Sequence, residues 1–326
     1  MTVLVTGAAG FIGYHLSEAL LARGEDVIGL DNLNDYYDVS LKEVRLTRLQ
    51  SQNGFSFHQY EITDRDAVNS AVRDSGSITD IVHLAAQAGV RYSLINPFVY
   101  QQANLDGVMV MLELARSLPN LEHFVFSSSS SVYGGLPNLP YKVTDNTDRP
   151  VSLYAATKKA GEAMCHSYAH LYGIPTTSLR FFTVYGPWGR PDMAAFIFTK
   201  KILAGEPIDV FNDGDMRRDF TYIDDIVSGV MACLKSPPRS ENGSAPYDVF
   251  NLGNSRSEKL MDFIGLIEAE LGAKAEINFQ PLQPGDVPET YADITGSTEA
   301  FGFKPKTNIS EGIPAFIRWY REFYEV

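Results

Sequence analysis

The chain has 326 residues, 44% of them hydrophobic, with 27 Lys and Arg against 40 Asp and Glu and a formal net charge of −13. That apolar content supports a sizeable core and excludes a disordered chain, and the acidic balance repels nucleic-acid backbones and anionic lipid, excluding both as partners. Two cysteines, Cys165 and Cys233, offer no disulfide framework, and neither a secretory leader nor a membrane-length apolar run is read, so the expectation is a cytoplasmic globular protein.

In chain order, "TVLVTG" is a short β-rich run ending at Gly7, and "FIGYHLSEALLARG" has apolar residues at helical spacing with a terminal Gly24. "DVIGLD", "DIVHLAA" and "HFVFSSSS" are the next strands, and "ANLDGVMVMLELARSLPN" reads as one helix stopped by Pro119. The repeated βα units predict an α/β fold, a doubly wound parallel sheet with helices on both faces. "SLYAATKKAGEAMCHSYAHLYG" is a further strong helix, and beyond Phe181 short strands such as "PIDVF" and "YDVFNLG" sit among Pro- and Gly-rich loops. The expected division is a first unit over 1–180 and a smaller α/β unit over 181–326 that builds a substrate pocket, with segments such as 220–253 returning to the first.

Three patterns carry chemistry. Gly7, Gly10 and Gly13 follow a strand and open a helix: the first permits the tight turn, the second a close backbone approach to a pyrophosphate, the third close helix packing. Asp31, ending the second strand, suits the adenosine ribose hydroxyls and repels a 2′-phosphate, which favours NAD over NADP. Tyr154 and Lys158 stand at i and i+4 on one helix face; an ammonium near a phenol favours the phenolate, a base for an alcohol proton. Ser127 to Ser131 close a strand whose end should face a ligand. The histidines show no metal-ligand spacing, and no metal is expected.

Together these residues, with "TGAAGFIG", "HLAAQAGV", "FSSSSSVYG", "YAATK", "RRDFTYIDDIV" and "FNLGN" in order, resemble the extended short-chain dehydrogenase/reductase family over nearly the whole chain. The resemblance implies an NAD-binding Rossmann fold with Tyr154 as base, Lys158 on the nicotinamide ribose and Ser129 on the substrate hydroxyl. It places Phe11, Ile12, Asn32, Glu61, Ile62, Leu84, Ala85, Ala86, Asn104 and Ser127 against the cofactor with the three glycines and Asp31. Glu61 departs from the pattern, since relatives usually carry aspartate there. The resemblance further implies a homodimer, since relatives pair the apolar helices matching those around Asn104–Arg116 and Tyr154–Tyr172 into a helix bundle.

Within that family, "DNLNDYYDVSLKEVRL" and "RFFTVYGPWGRPDMA" are similar to the members that epimerise UDP-glucuronate at carbon 4. The resemblance implies that Arg190 holds the C6 carboxylate, that Ser129, Ser130, Ser131 and Thr183 face the sugar and diphosphate, and that Arg218, a better match than Arg217, binds the diphosphate. Arg91 is a further substrate-side candidate or equally a structural ion pair. A 4-keto uronate is a β-keto acid that loses carbon dioxide easily, and an arginine fork fixing the carboxylate should oppose that loss. Of the rivals, a 4,6-dehydratase lacks here the Asp-Glu pair that would stand at Ser130 and Ser131, and a neutral-hexose epimerase has no carboxylate for Arg190. A UDP-glucuronate decarboxylase ranks second, and a nucleotide-binding regulator on the same fold is the non-enzyme alternative. Gln283 and Pro284 replace a second diphosphate arginine found in galactose-type epimerases, and Trp188 receives no role.

Overall fold

Strand β1 (Thr2–Thr6) explains the layering by itself: Val3 and Val5 pack into one hydrophobic cluster and Leu4 into another, the period-two alternation of a sheet covered on both faces. The structure, a computed structural model, describes residues 1–73 and 78–326. Five further strands, β2 (Asp26–Asp31), β3 (Phe55–Gln59), β4 (Asp80–His83), β5 (His123–Ser129) and β6 (Thr176–Phe181), join β1 with a seventh, Tyr247–Leu252. The order across the sheet is Tyr247–Leu252, β6, β5, β4, β1, β2, β3, and every neighbouring pair is parallel. The expected doubly wound α/β fold is therefore present. The strand order reverses between β1 and β4, where such sheets leave a crevice at their carboxyl ends.

Helix α1 (Phe11–Leu21) opens directly from the glycine turn and stops before Gly24, whose φ of 77° completes the turn into β2. The predicted long helix is Leu153–Tyr172, with the Ser152 hydroxyl accepting from the Ala155 N–H at its start and Gly173 in the left-handed region at its end. The stretch read as one helix from Ala103 is not uniform: a π-helical turn, Gln102–Asp106, precedes the α-helix Gly107–Ser117. Asn104 lies in that π-helical turn.

After β6 the chain leaves the sheet. Ile208–Phe211 and Ile277–Gln280 pair in parallel, and the helices Ala194–Leu203, Leu260–Leu271 and Ile309–Tyr324 pack around them. The chain comes back once: helix Ile223–Leu234 packs against α1, and the strand that follows it, Tyr247–Leu252, pairs with β6. Among the described residues no helix is long and apolar enough to cross a membrane.

Candidate active site

The carboxyl ends of β1, β2, β4, β5 and β6 open into one cleft of about 430 Å³, lined there by Gly7, Asp31, Leu84, Ser129 and Phe181. Gly7 sits at φ 72°, and a Cβ on Gly13 would lie 2.1 Å from its carbonyl oxygen. Glycine is thus obligatory where α1 presses on the turn. The helix starts at Gly10 without a side-chain cap and with no acidic residue in its first turn, so the N–H groups of Phe11, Ile12 and Gly13 begin the helix along the cleft wall. Asp31 is buried; its two carboxylate oxygens accept the N–H groups of Ala9 (3.1 Å) and Leu33 (2.9 Å), and burial pushes its pKa up against these bonds. Each oxygen keeps a second lone pair for a ribose hydroxyl. Asn32, Glu61, Ile62, Ala85 and Ala86 line the same end, and Asn32 Nδ2 donates to Glu61 at 2.8 Å. An uncapped helix start, a glycine cradle and a carboxylate at the second strand end fit NAD.

Tyr154 and Lys158 both line the cleft, as do Ser127 to Ser131. Lys158 is 3% exposed; its Nζ donates to the Ser127 carbonyl at 2.7 Å and reaches the Ser127 hydroxyl at 3.4 Å. Burial lowers its pKa to about 7. The expected lowering of the Tyr154 phenol by this ammonium is not what the geometry gives: burial pushes the phenol up, and the groups pulling it back are the Ser129 hydroxyl and the charge of Arg190. The serines divide. Ser128 is buried and donates to Glu162 at 2.6 Å, and Glu162 in turn takes Arg180 Nε at 2.8 Å, so Ser128 braces β5. Ser129 accepts from the Ser131 N–H (3.2 Å) and hydroxyl (3.0 Å), holding Ser129 to Ser131 as one polar edge of the cleft.

Arg190 also lines the cleft, but it already holds a carboxylate. Its Nε and Nη2 donate to the two oxygens of Asp192 at 3.0 and 2.5 Å. Burial opposes both charges, yet the pairing wins: it raises Arg190 and holds Asp192 below the usual carboxylate range. Asp192 occupies the side edge of the guanidinium, which leaves the end edge, Nη1 with the second Nη2 hydrogen, for another acceptor. Thr183 and Arg218 line the cleft; Arg218 donates to Asp286 at 2.7 Å, and burial lowers its pKa despite that partner. Arg217 turns away to Ser257 (3.0 Å) and Glu289 and does not line the cleft.

Two expected residues are placed otherwise. Asn104 is buried behind the wall: its Oδ1 accepts the Gln87 N–H (2.8 Å), and its Nδ2 donates to the Gln87 carbonyl (3.0 Å) and the Thr157 hydroxyl (3.0 Å). With both amide hydrogens used, it braces the loop after β4 against the Tyr154 helix instead of reaching a cofactor. Arg91 is exposed, 3.8 Å from Asp286 and stacked over Phe211, the structural ion pair and not a cleft residue. Sequence reasoning missed Tyr36, Lys42, Met193 and Asp286, which line the cleft, and Asp192, which binds Arg190. The "NDYY" letters were the available signal, but the partner of Tyr36, Asp192, lies 156 positions away.

The model of the NAD dependent epimerase/dehydratase family matches residues 3–253. The chain belongs to that family. Among epimerase relatives it is 47% identical to UDP-glucuronate 4-epimerase 4 of Arabidopsis thaliana, covering 99% of this chain and 76% of that protein. It is 46% identical to the probable UDP-glucuronate 4-epimerase of Rhizobium meliloti, over 99% of this chain and 98% of the relative. Among solved structures it is similar to the UDP-glucuronic acid 4-epimerase from Bacillus cereus in complex with UDP-glucuronic acid and NAD. That likeness has a TM-score of 0.90 and 34% identity, over 99% of this chain and all of that one.

Proposed function

We infer that this chain is an NAD-dependent UDP-glucuronate 4-epimerase that interconverts UDP-glucuronate and UDP-galacturonate. The observation that carries the reading is the placement of Arg190, with one donor edge unspent, in the same cleft as Tyr154 and close enough for its charge to act on the phenol. A neutral hexose offers that edge only an uncharged hydroxyl, whereas a C6 carboxylate accepts both of its N–H directions.

The chain's own residues then divide the work. Gly7, Gly10 and Gly13 cradle the pyrophosphate, Asp31 takes the adenosine ribose, and Lys158 takes the nicotinamide ribose. Bound NAD supplies the acceptor and donor of a hydride at sugar carbon 4. Tyr154 takes the proton of the carbon 4 hydroxyl and later returns one to the 4-keto sugar's oxygen, and Ser129 hydrogen-bonds that oxygen. Arg190, with the polar edge at Ser130 and Ser131, holds the carboxylate while the ketone turns its other face, and Arg218 with Thr183 holds the diphosphate. Fixed in orientation and charged, the carboxylate resists leaving as carbon dioxide.

Residues 1–180, with segments such as 220–253, form the NAD-binding unit, and the rest of 181–326 forms the nucleotide-sugar unit. We place the enzyme in the cytoplasm, where its two buried thiols stay reduced. A homodimer is proposed through the helices Gly107–Ser117 and Leu153–Tyr172, which leave Met109, Leu153 and Leu171 exposed. Incubation of purified protein with UDP-glucuronate tests the reading: UDP-galacturonate supports it, and a UDP-pentose or no product overturns it.

A further inference from the structure

The "DNLNDYYDVSLKEVRL" segment lies against the arginine loop, and its contacts extend beyond the ribose-binding Asp31. The Tyr36 hydroxyl donates to Asp192 Oδ2 at 3.1 Å, and Asp192 holds one edge of Arg190 through Nε and Nη2. The Tyr36 ring is itself fixed against Tyr92, with centroids 4.8 Å apart. One helical segment on, Arg45 is fully buried. Its Nη1 donates to the Ala9 carbonyl in the glycine turn and to the Tyr37 hydroxyl, each at 3.0 Å. Its Nη2 donates to the Trp188 and Gly189 carbonyls at 2.5 and 3.2 Å. Trp188 needs such support, since its φ of 60° is left-handed for a residue with a Cβ, and its ring is wedged against Tyr14 and Trp319.

We propose that Tyr36 and Arg45 are positioning residues for uronate specificity: together they fix Arg190 through Asp192 and through the loop carbonyls, and they tie that loop to the glycine turn. The proposal rests on the epimerase reading. A guanidinium locked by Asp192 presents its free edge in one direction only. If Tyr36 lets Asp192 turn, Arg190 turns with it, and the C6 carboxylate is no longer fixed relative to the carbon 4 ketone. Decarboxylation needs the C5–C6 bond aligned with the carbonyl π system. That bond then breaks, carbon dioxide leaves, the electron pair passes into an enolate over C5, C4 and O4, and C5 takes a proton from water. A loosened Arg190 therefore raises KM for the uronate and lets carbon dioxide escape from the 4-keto sugar.

The test uses the NAD-loaded enzyme and two near-isosteric variants, Tyr36→Phe and Asp192→Asn, assayed with UDP-glucuronate. Loss of a hydrogen bond to a charged group should raise KM about tenfold, with kcat changed less than about threefold. Pentose-type products, UDP-4-keto-pentose or UDP-pentose, should rise several-fold relative to UDP-galacturonate, and bound NAD should equal that of the unsubstituted protein. A purely structural role lowers the melting temperature without changing the product ratio, and that result overturns the proposal. So do variants whose KM and product ratio match the unsubstituted protein, or whose losses track NAD content. Failure of the unsubstituted protein to turn over UDP-glucuronate instead refutes the epimerase reading.

Discussion

Replacing Arg190 by lysine keeps a positive charge at the cleft but removes the fork, which makes it the sharpest probe of substrate choice. A guanidinium has five N–H donors, of which two are spent on Asp192 through Nε and Nη2. The remaining donors suffice to grip both oxygens of a carboxylate. An ammonium has three donors radiating from one point, and Asp192 competes for them, so one charge-assisted hydrogen bond to the substrate is lost. Such a bond contributes about 1.5–3 kcal/mol, equivalent to about 10- to 150-fold in kcat/KM. Steady-state assays of UDP-glucuronate turnover, with bound NAD released by denaturation and quantified, should show that loss at unchanged NAD content. A loss under about threefold would refute the assignment of Arg190 to the carboxylate. Arg190→Met should do worse, because it leaves the Asp192 carboxyl without the cation that holds its pKa down and puts an unpaired acid beside an acidic sugar.

Tyr154→Phe should bind NAD and UDP-glucuronate normally and lower kcat by about 10²- to 10⁴-fold, the usual contribution of a positioned base; near-normal turnover would remove Tyr154 from the chemistry. Gly13→Ala, whose Cβ would lie 2.1 Å from the Gly7 carbonyl, should melt lower and purify with little NAD. Gly265→Ala is the control, since nothing lies within 4 Å of its Cβ, and this helical site should gain up to about 1 kcal/mol. Lys158 titrates near 7 folded, below its ordinary value of about 10.4 when unfolded, so between these the unfolded chain binds the extra proton and stability rises with pH. The excess thermal stability of Lys158→Met over the unsubstituted protein should therefore shrink from pH 7 to 10 in melting curves; a constant difference would contradict a burial-lowered pKa at Lys158.

The glycine turn and Asp31 were legible because each is dictated locally: a tight turn, a close helix and a strand end demand particular residues in sequence. The Tyr154 helix was legible for the same reason, its cap at Ser152 and stop at Gly173 lying next to it. What the letters hid was long-range. Asn104 was expected beside the cofactor, but a π-helical turn and three hydrogen bonds pull it behind the wall. Arg91 carries two readings that spacing alone does not separate; the structure leaves it outside the cleft lining, 3.8 Å from Asp286. The coupling of Lys158 to Tyr154 was reasoned from i,i+4 spacing, which brings side chains to one face but does not say where an ammonium points; here it points at the Ser127 carbonyl. Asp192 stands two residues after Arg190, yet its bond to Tyr36 spans 156 positions and leaves no trace in spacing.

The central claim is tested most directly by product analysis of the purified protein with UDP-glucuronate, without added cofactor. The account predicts UDP-galacturonate approaching an equilibrium reached from either epimer, with no net change in NAD. Accumulation of a UDP-pentose, or recovery of unchanged UDP-glucuronate, would contradict it.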